Sequence, residues 1–357
     1  MEIQTATASL KEQWEQLREE KPSMRIREAA AHIGVSEAEL LATTIGEQTI
    51  RLEGDWTVLY HRLPELGRVM SLTRNDGCVL EHKGTFEQID IMGTMPKAMA
   101  TVIGYIETRV FFSAWKFGFA TEQPTAKGRS LKSLQFFDGT GEAITKIYLQ
   151  EEGNLDAFEK LVEDFTAKDQ DAPLLLEPPT EFYYKSIEQI NQKEFIEAWG
   201  SLQDTHDFFG MLRKFEVHRQ DALRLAEGKY AYRIAPDAVL TLLESAATRH
   251  LPIMIFVGNR GNIQIHQGTV RTIRLMESPQ AIWLNVLDPD FNMHLRQDLI
   301  TEAWVVRKPT VDGIVTSLEL FDKKGNMIAQ FFGLRKPSQP ERIEWKNLIE
   351  EISQLKG

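Results

Sequence analysis

Residues 204–213, D-T-H-D-F-F-G-M-L-R, set one imidazole, His206, between two acidic residues and just ahead of Phe208, Phe209 and Leu212. Arg213, Lys214 and Arg219 follow closely. A neutral imidazole can ligate a metal. A guanidinium pairs with carboxylates through charge-assisted hydrogen bonds, and aromatic side chains offer flat apolar surface. The combination suits a flat aromatic macrocycle carrying a metal and acidic groups. The same residues also fit a histidine that caps or packs at a helix junction, and residue types alone do not separate the two readings.

Local elements must position that imidazole. S-I-E-Q-I-N-Q-K-E-F-I-E-A-W-G reads as a helix over 187–199, with Phe195, Trp199 and Leu202 in a four-then-three spacing along one apolar face and Gly200 as its stop. Asp204 then reads as the N-cap of a second helix, with Asp207 three residues on. This predicts His206 in a first helical turn, where the positive end of the helix disfavours imidazolium.

The chain repeats itself. R-N-D-G-C-V-L-E-H-K-G-T at 74–85 matches G-N-R-G-N-I-Q-I-H-Q-G-T at 258–269, with Asn75, His82, Gly84 and Thr85 falling on Asn259, His266, Gly268 and Thr269 at an offset of 184. S-L-Q-F-F-D-G-T-G at 133–141 matches S-L-E-L-F-D-K-K-G at 317–325 at the same offset. Pairing Trp115 with Trp304 between these blocks implies a five-residue insertion in the second half. Each half begins with helical segments (10–20, 25–31, 36–43 and 55–66; then 187–199, 205–214, 219–227 and 236–248). Each continues with alternating strands, including one continuous reading over 79–93, and a strand, Asp-x-x-Gly turn and strand over 133–149 and 317–333. Each closes with a helix, 154–167 and 340–355. The prolines of 169–182 mark a linker. The expected organisation is an N-terminal repeat, 1–168, the linker, and a C-terminal repeat, 183–357, carrying the metal ligand. The fold class is α+β, a tandem duplication in which each half is an antiparallel sheet with packed helices.

Composition narrows the function. At 357 residues, 42% hydrophobic and 26% charged, the chain has the makeup of an ordinary globular protein. No apolar run is long enough to span a membrane, and the N-terminal stretch has neither the basic flank nor the apolar core of a secretory signal. The expectation is a cytoplasmic protein without membrane insertion. A net charge of −11 argues against a broad phosphate-binding face and leaves room for a local basic pocket. The single Cys78 excludes an internal disulfide and has no evident activating base.

Several segments together resemble one family: S-L-Q-D-T-H-D-F-F-G-M-L-R-K-F, N-R-G-N-I-Q-I-H-Q-G, N-V-L-D-P-D-F-N-M-H-L-R, E-A-W-V-V-R-K-P-T and A-Q-F-F-G-L-R-K-P in the second half, with I-R-E-A-A-A-H-I-G-V-S-E-A-E-L-L and S-L-Q-F-F-D-G-T-G-E-A-I-T-K-I-Y-L in the first. The chain resembles the bacterial cytoplasmic haem-utilisation proteins, often called hemin-degrading factors, over nearly its whole length. The resemblance implies one bound haem b, as ligand or substrate, with His206 as the proximal iron ligand. It assigns Arg219, Lys308, Gln330, Phe332 and Arg335 to the pocket, with Arg335 distal and catalytic if the protein is an enzyme. Arg109 and Phe111 would contribute from the first half. Phe332 stands where some members carry a tyrosine, which removes a hydroxyl from that position. The implied partners are haem, an inner-membrane haem importer and a haem oxygenase. Two activities follow from the resemblance: degradation of haem to release iron, using an external reductant, or non-enzymatic carriage of haem to a separate oxygenase.

Other signals compete with this reading. I-R-E-A-A-A-H-I-G-V-S-E-A-E-L-L also has the form of a helix-turn-helix, which would make the protein a DNA-binding regulator. Its second helix, S-E-A-E-L-L-A, is acidic and lacks side chains that reach base edges. His82 and His266 occupy equivalent strand positions, a pattern that would suit a second metal site and that the duplicated turn-and-strand chemistry explains as well, the structural reading being favoured. His218, beside Arg219, is a candidate alternative ligand. His32, His61, His250 and His294 carry no motif. Met24 falls opposite His206 when the first helices are aligned, and reads as core filling.

Overall fold

In a computed structural model, the structure describes residues 2–124, 130–335 and 339–354, omitting the side chains of 2–9 and 124. Residues 336–337 of the G-L-R-K-P ending and residue 355 of the expected last helix lie outside the described residues. The helices are α1 Glu2–Glu20, α2 Ile26–Ile33, α3 Glu37–Ala42, α4 Trp56–His61, α5 Leu155–Phe165, α6 Gln192–Gly200, α7 Asp207–Phe215, α8 Arg219–Leu225, α9 Ala238–Thr248 and α10 Ile343–Ser353. The strands are β1 Thr49–Leu52, β2 Gly67–Arg74, β3 Cys78–Gly84, β4 Gln88–Met92, β5 Met99–Ile103, β6 Glu107–Phe111, β7 Phe117–Pro124, β8 Ser130–Phe137, β9 Ala143–Gly153, β10 Ala231–Ile234, β11 Ile253–Gly258, β12 Asn262–Gly268, β13 Ile273–Ser278, β14 Ala281–Leu287, β15 Phe291–Arg296, β16 Glu302–Thr310, β17 Gly313–Phe321 and β18 Met327–Gly333.

The chain divides into two compact units, Met1–Arg74 with Glu81–Thr180 and Gly258–Gln264, and Asn75–Leu80 with Glu181–Val257 and Ile265–Gly357. In the first, β1, β7, β8, β9 and β2 form an antiparallel array and β4, β5 and β6 another. In the second, β10, β16, β17, β18 and β11 repeat the first array and β13, β14 and β15 the other. The fold is α+β and internally duplicated, each half an antiparallel sheet with packed helices.

The second unit buries two apolar clusters. One face of its larger sheet supplies Ile253, Ile255, Leu318, Leu320 and Phe331 to a core closed by Leu242 and Leu243 of α9 and Trp345 and Leu348 of α10. The other face supplies Trp304, Val306 and Phe321, covered by Phe195 and Trp199 of α6, Phe208, Met211 and Leu212 of α7, and Leu223 of α8. Trp199 Nε1 donates to the Arg307 carbonyl at 3.0 Å, fastening α6 to β16. Both Asp-x-x-Gly hairpins form as expected. Asp138 Oδ1 accepts from the Thr140 and Glu142 amides, and Asp322 Oδ1 from those of Lys324 and Asn326. Gly141 and Gly325 each adopt φ near +80°, at 82° and 81°, as such turns require.

Four local expectations change. The segment 55–66 is α4 followed by a 3₁₀ turn, Leu63–Leu66, because Pro64 cannot continue α-helical bonding. The segment 187–199 is a 3₁₀ turn, Ile187–Gln189, and then α6, restarted by Asn191, whose side chain accepts from the Glu194 amide. The strand expected over 79–93 is β3 and β4 with an interruption at 85–87. Finally, the strand register pairs Phe119 with Gln135 and Trp304 with Glu319, so the counterpart of Trp304 is Phe119 rather than Trp115. No five-residue insertion lies there, and similar 3₁₀ turns, Phe112–Ala114 and Gln297–Leu299, precede both strands.

Candidate functional site

His206 sits immediately before α7, in the cap position with φ −71° and ψ −25°, rather than within the first turn. Capping nevertheless runs through Asp204, as its residue type foretells. Asp204 Oδ1 accepts from the His206 amide at 2.8 Å, and Asp207 Oδ2 accepts from the Asp204 amide at 2.9 Å. This reciprocal pair closes a turn over 204–207, and α7 begins at its last residue. Asp204 Oδ1 also lies 2.5 Å from His206 Nδ1. The amide bond from His206, the imidazole itself and nearby Arg335 hold the Asp204 carboxyl below its ordinary range. An ionised carboxylate only accepts, so Nδ1 is the donor of this pair and Nε2 is the ring nitrogen that Asp204 does not engage. A carboxylate behind a histidine is the arrangement that fixes the tautomer of metal-ligating imidazoles. The imidazole is 93% exposed.

The three apolar residues after His206 divide. Phe208 and Leu212 belong to the core, whereas Phe209 is 62% exposed with Arg213 over its ring. Only Phe209 can offer surface to a ligand on this side, because helical periodicity turns positions 208, 211 and 212 inward.

Phe208 links α7 to a buried ionic cluster on the sheet. Its ring lies beneath the Arg219 guanidinium and Lys308 Nζ, at 4.9 and 4.7 Å. At the centre is Glu319, fully buried on β17. Arg219 Nε and Nη2 donate to its two oxygens at 2.8 and 2.7 Å, and Lys308 Nζ, Ser317 Oγ and Gln330 Nε2 donate to Oε1 at 2.9, 3.0 and 3.0 Å. Burial alone would raise the Glu319 carboxyl. Arg219 and Lys308 outweigh it and hold the group far below the usual range. Burial pulls Lys308 down to about 8.

Alternation puts these groups on one face of the sheet. Glu319 pairs with Gln330, and Gln330 with Phe256 on β11; Ser317 pairs with Phe332, and Phe332 with Met254. Met254, Phe256 and Phe332 are half-buried, with the rings of Phe256 and Phe332 in edge contact at 5.1 Å. Lys308 Nζ lies 5.9 Å from the Phe332 ring. Arg335, just past β18, faces Asp312 at 3.5 Å. An apolar face of Met254, Phe256 and Phe332 therefore adjoins a buried ionic cluster, and the imidazole of His206 precedes the helix that carries Phe208. Among the described residues, no group of three or more His, Cys, Asp or Glu side chains is placed to hold an ion. An imidazole acting alone suits a metal that brings its other ligands with it, as a metallated macrocycle does.

A family model described as the haemin-degrading HemS/ChuX domain matches residues 34–165 and again 216–352. The chain belongs to that family. Among its HemS/ChuX relatives, the hemin transport protein HmuS of Yersinia pestis is 34% identical over 351 residues, 97% of each chain. Among solved structures, holo-PhuS, a heme-binding protein from Pseudomonas aeruginosa, is 43% identical with a TM-score of 0.92, over 97% of this chain and 99% of that one. ChuS of Escherichia coli O157:H7, described as a heme degrading enzyme, is 31% identical with a TM-score of 0.89, over 97% of this chain and 99% of that one.

The second family match takes in Arg219, Lys308, Glu319, Gln330, Phe332 and Arg335, while His206 precedes it. The structure gathers Arg219, Lys308 and Gln330 around Glu319, with Phe208 beneath the two cations and Phe332 near Lys308, whereas the contacts of His206 are with Asp204. Arg109 and Phe111 lie on β6 of the first unit, where Arg109 bonds Glu107 at 2.9 Å and the carbonyls of Val102 and Thr108. Glu319, Met254 and Phe256 escaped the sequence reading, and Asp204 entered it only as a cap. An acidic residue at an inward position of S-L-E-L-F was the available signal for Glu319. His82 and His266 are buried strand residues, with His266 stacked on Phe291 at 3.7 Å. His218 caps α8 in edge contact with Tyr184. In the helix-turn-helix-like segment, Ala38 and Leu41 of α3 pack on Phe119 and Phe137, and Glu37 pairs with Lys146 in the interior. That helix faces its own sheet. No helix among the described residues is long and apolar enough to cross a membrane.

Proposed function

We propose that the protein binds one haem per chain in haem uptake, with His206 Nε2 as the iron ligand, and hands it on as a carrier. The observation that carries this reading is the Asp204–His206 pair, in which a carboxylate engages Nδ1 of a largely exposed imidazole and leaves Nε2 for a ligand. Its HemS/ChuX relatives, described as hemin transport and heme-binding proteins, support the same reading. Haem bound here would supply its own iron redox chemistry, and ring opening would need oxygen and an external reductant. The chain's residues bind and orient. Asp204 holds the Nδ1 proton, Phe209 and Phe332 provide apolar contact, and Arg219 meets a propionate.

Carriage is favoured over degradation by the state of Arg335. A role in ordering oxygen across the ring would require its guanidinium to be free, whereas it faces Asp312 and lies close enough to Asp204 to stabilise that carboxylate. To test this, the haem-loaded protein is treated with reductant in the presence of catalase while the Soret band and released iron are followed. A persistent Soret band that moves to an added apo-oxygenase supports carriage. Loss of the band with a defined tetrapyrrole product establishes degradation instead. His206→Ala should abolish the normal haem spectrum, and an unchanged spectrum and affinity would remove His206 from the site.

A further inference from the structure

We infer that Glu319 is a positioning residue: its buried carboxylate locks the Arg219 guanidinium so that the remaining donors of Arg219 meet a carboxylate of the ligand, making the site selective for porphyrins with free propionates. The inference rests on the haem-binding reading above and adds a source of selectivity to it.

Three observations combine. First, Arg219 uses Nε and Nη2 on Glu319, a two-point fork that fixes the guanidinium plane and leaves Nη1 unengaged by Glu319. The Arg219 side chain keeps 23% of its exposure, so the cluster opens to solvent through this residue. Second, Lys308 is only 4% exposed and is engaged by the same carboxylate. It braces Glu319 from below and is not the cation a ligand meets. Third, Gln330 on the adjacent strand and Ser317 two residues earlier on the same strand also donate to Glu319, fixing its rotamer. A guanidinium held on two points, over the Phe208 ring, loses little freedom when a carboxylate arrives.

Charge alone gives a different expectation, and the two can be told apart. Arg219, Lys308 and Glu319 together carry one net positive charge. With Glu319→Gln, Lys308 loses the partner that keeps it protonated and sheds its proton, so the net charge stays the same while the fork is broken. Lys308→Met keeps the fork and removes the net charge. Lys308→Met/Glu319→Gln removes the fork and keeps the charge, without leaving an unpaired buried cation that could prevent folding.

Each form is titrated spectrophotometrically with haem and with haem dimethyl ester in the same detergent, and the ratio of the two affinities is read. The wild type should prefer free haem. If Glu319 positions Arg219, Glu319→Gln and the double variant lose about tenfold of that preference, the worth of one charged hydrogen bond, whereas Lys308→Met keeps it within about twofold. Loss of preference in Lys308→Met with retention in the double variant would show that net charge decides, and overturns the inference. Equal weakening toward both ligands would show a merely structural role, and overturns it too. Should Glu319→Gln fail to fold, the Lys308→Met and double-variant pair still separates the fork from the charge. A wild type that binds neither ligand instead removes the haem-binding reading.

Discussion

Replacing Asp204 by asparagine keeps the shape of the turn ahead of α7 and removes one charge. Asparagine Oδ1 can still accept from the His206 amide, so the cap survives, but the imidazole loses the carboxylate behind Nδ1. Loss of such a partner costs metal-ligating histidines about 10–100-fold in affinity. Asp204 is 56% exposed and His206 93%, so solvent screens the pair, and the low end, about tenfold, is expected. Asp204→Ala removes the cap acceptor as well, which costs about 1 kcal/mol of stability and shifts Tm by about 2–4 °C in a unit of this size. The assay is a haem titration at the Soret band with a thermal melt of each apoprotein. Asp204→Asn should weaken haem about tenfold at unchanged Tm, and Asp204→Ala should do both. Wild-type affinity in both variants, with His206→Ala still unable to bind, would show that the imidazole does not depend on Asp204, and the reasoning from the 2.5 Å contact fails.

Two further perturbations separate core from surface and test the buried cluster. Phe208→Ala empties a fully buried ring site and should destabilise the fold by about 3–5 kcal/mol in denaturant unfolding, whereas Phe209→Ala should leave stability within about 0.5 kcal/mol and lower haem affinity; equal stability losses would contradict the burial difference. Lys308, lowered to about 8 by burial, binds its proton less tightly in the folded state than in the unfolded one, where the ordinary value is 10.5. The unfolded chain therefore holds more protons between those values, and stability should rise with pH from about 8 to about 10.5 relative to Lys308→Met, read as a difference in urea midpoints. A flat difference across that window would place the Lys308 titration elsewhere.

The sequence carried the duplication, both Asp-x-x-Gly hairpins and the helix order, because these rest on local spacing and turn chemistry. It misjudged extents where one residue altered backbone bonding, as Pro64 does in the segment 55–66 and Asn191 does before α6. The tryptophan pairing failed for a different reason. Trp115 and Trp304 are both buried aromatics, and identity of type stood in for strand register, which only hydrogen bonding fixes. At the site, His206 was visible as a residue type, and Asp204 was noticed as a cap. That one carboxylate also holds the ring depends on backbone geometry within the turn. Glu319 was hidden because a charged residue in a strand ordinarily faces water. Its burial becomes tolerable only once Arg219 from α8, Lys308 from β16 and Gln330 from β18 converge on it, and those lie far apart in sequence.

The duplication itself shows why the ligand reading attaches to the second half. Arg219 opens the third helix of its half, and the first residue of the equivalent helix is Glu37. By strand register, Glu319 corresponds to Gln135 and Gln330 to Lys146. Both halves thus tie the same helix to the sheet with an ion pair, but the polarity is reversed and the sheet partner lies one strand over: Glu37 on the helix meets Lys146, the counterpart of Gln330. The fold accommodates an ionic tie of either sign at this place. A ligand with acidic edges is not indifferent to that sign. In the second half the helix presents a guanidinium with donors to spare, and in the first it presents a carboxylate. The position of His206 is taken in the first half by Met24, which packs with Trp14, Leu17 and Ala29. Exchanging the polarity by Glu37→Arg with Lys146→Glu should leave the first half folded, since the pair is conserved in kind, and should not raise haem stoichiometry above one, because no oriented imidazole accompanies the cation. Two haems bound by that variant would show that the buried cation, and not the imidazole, decides where the ligand goes.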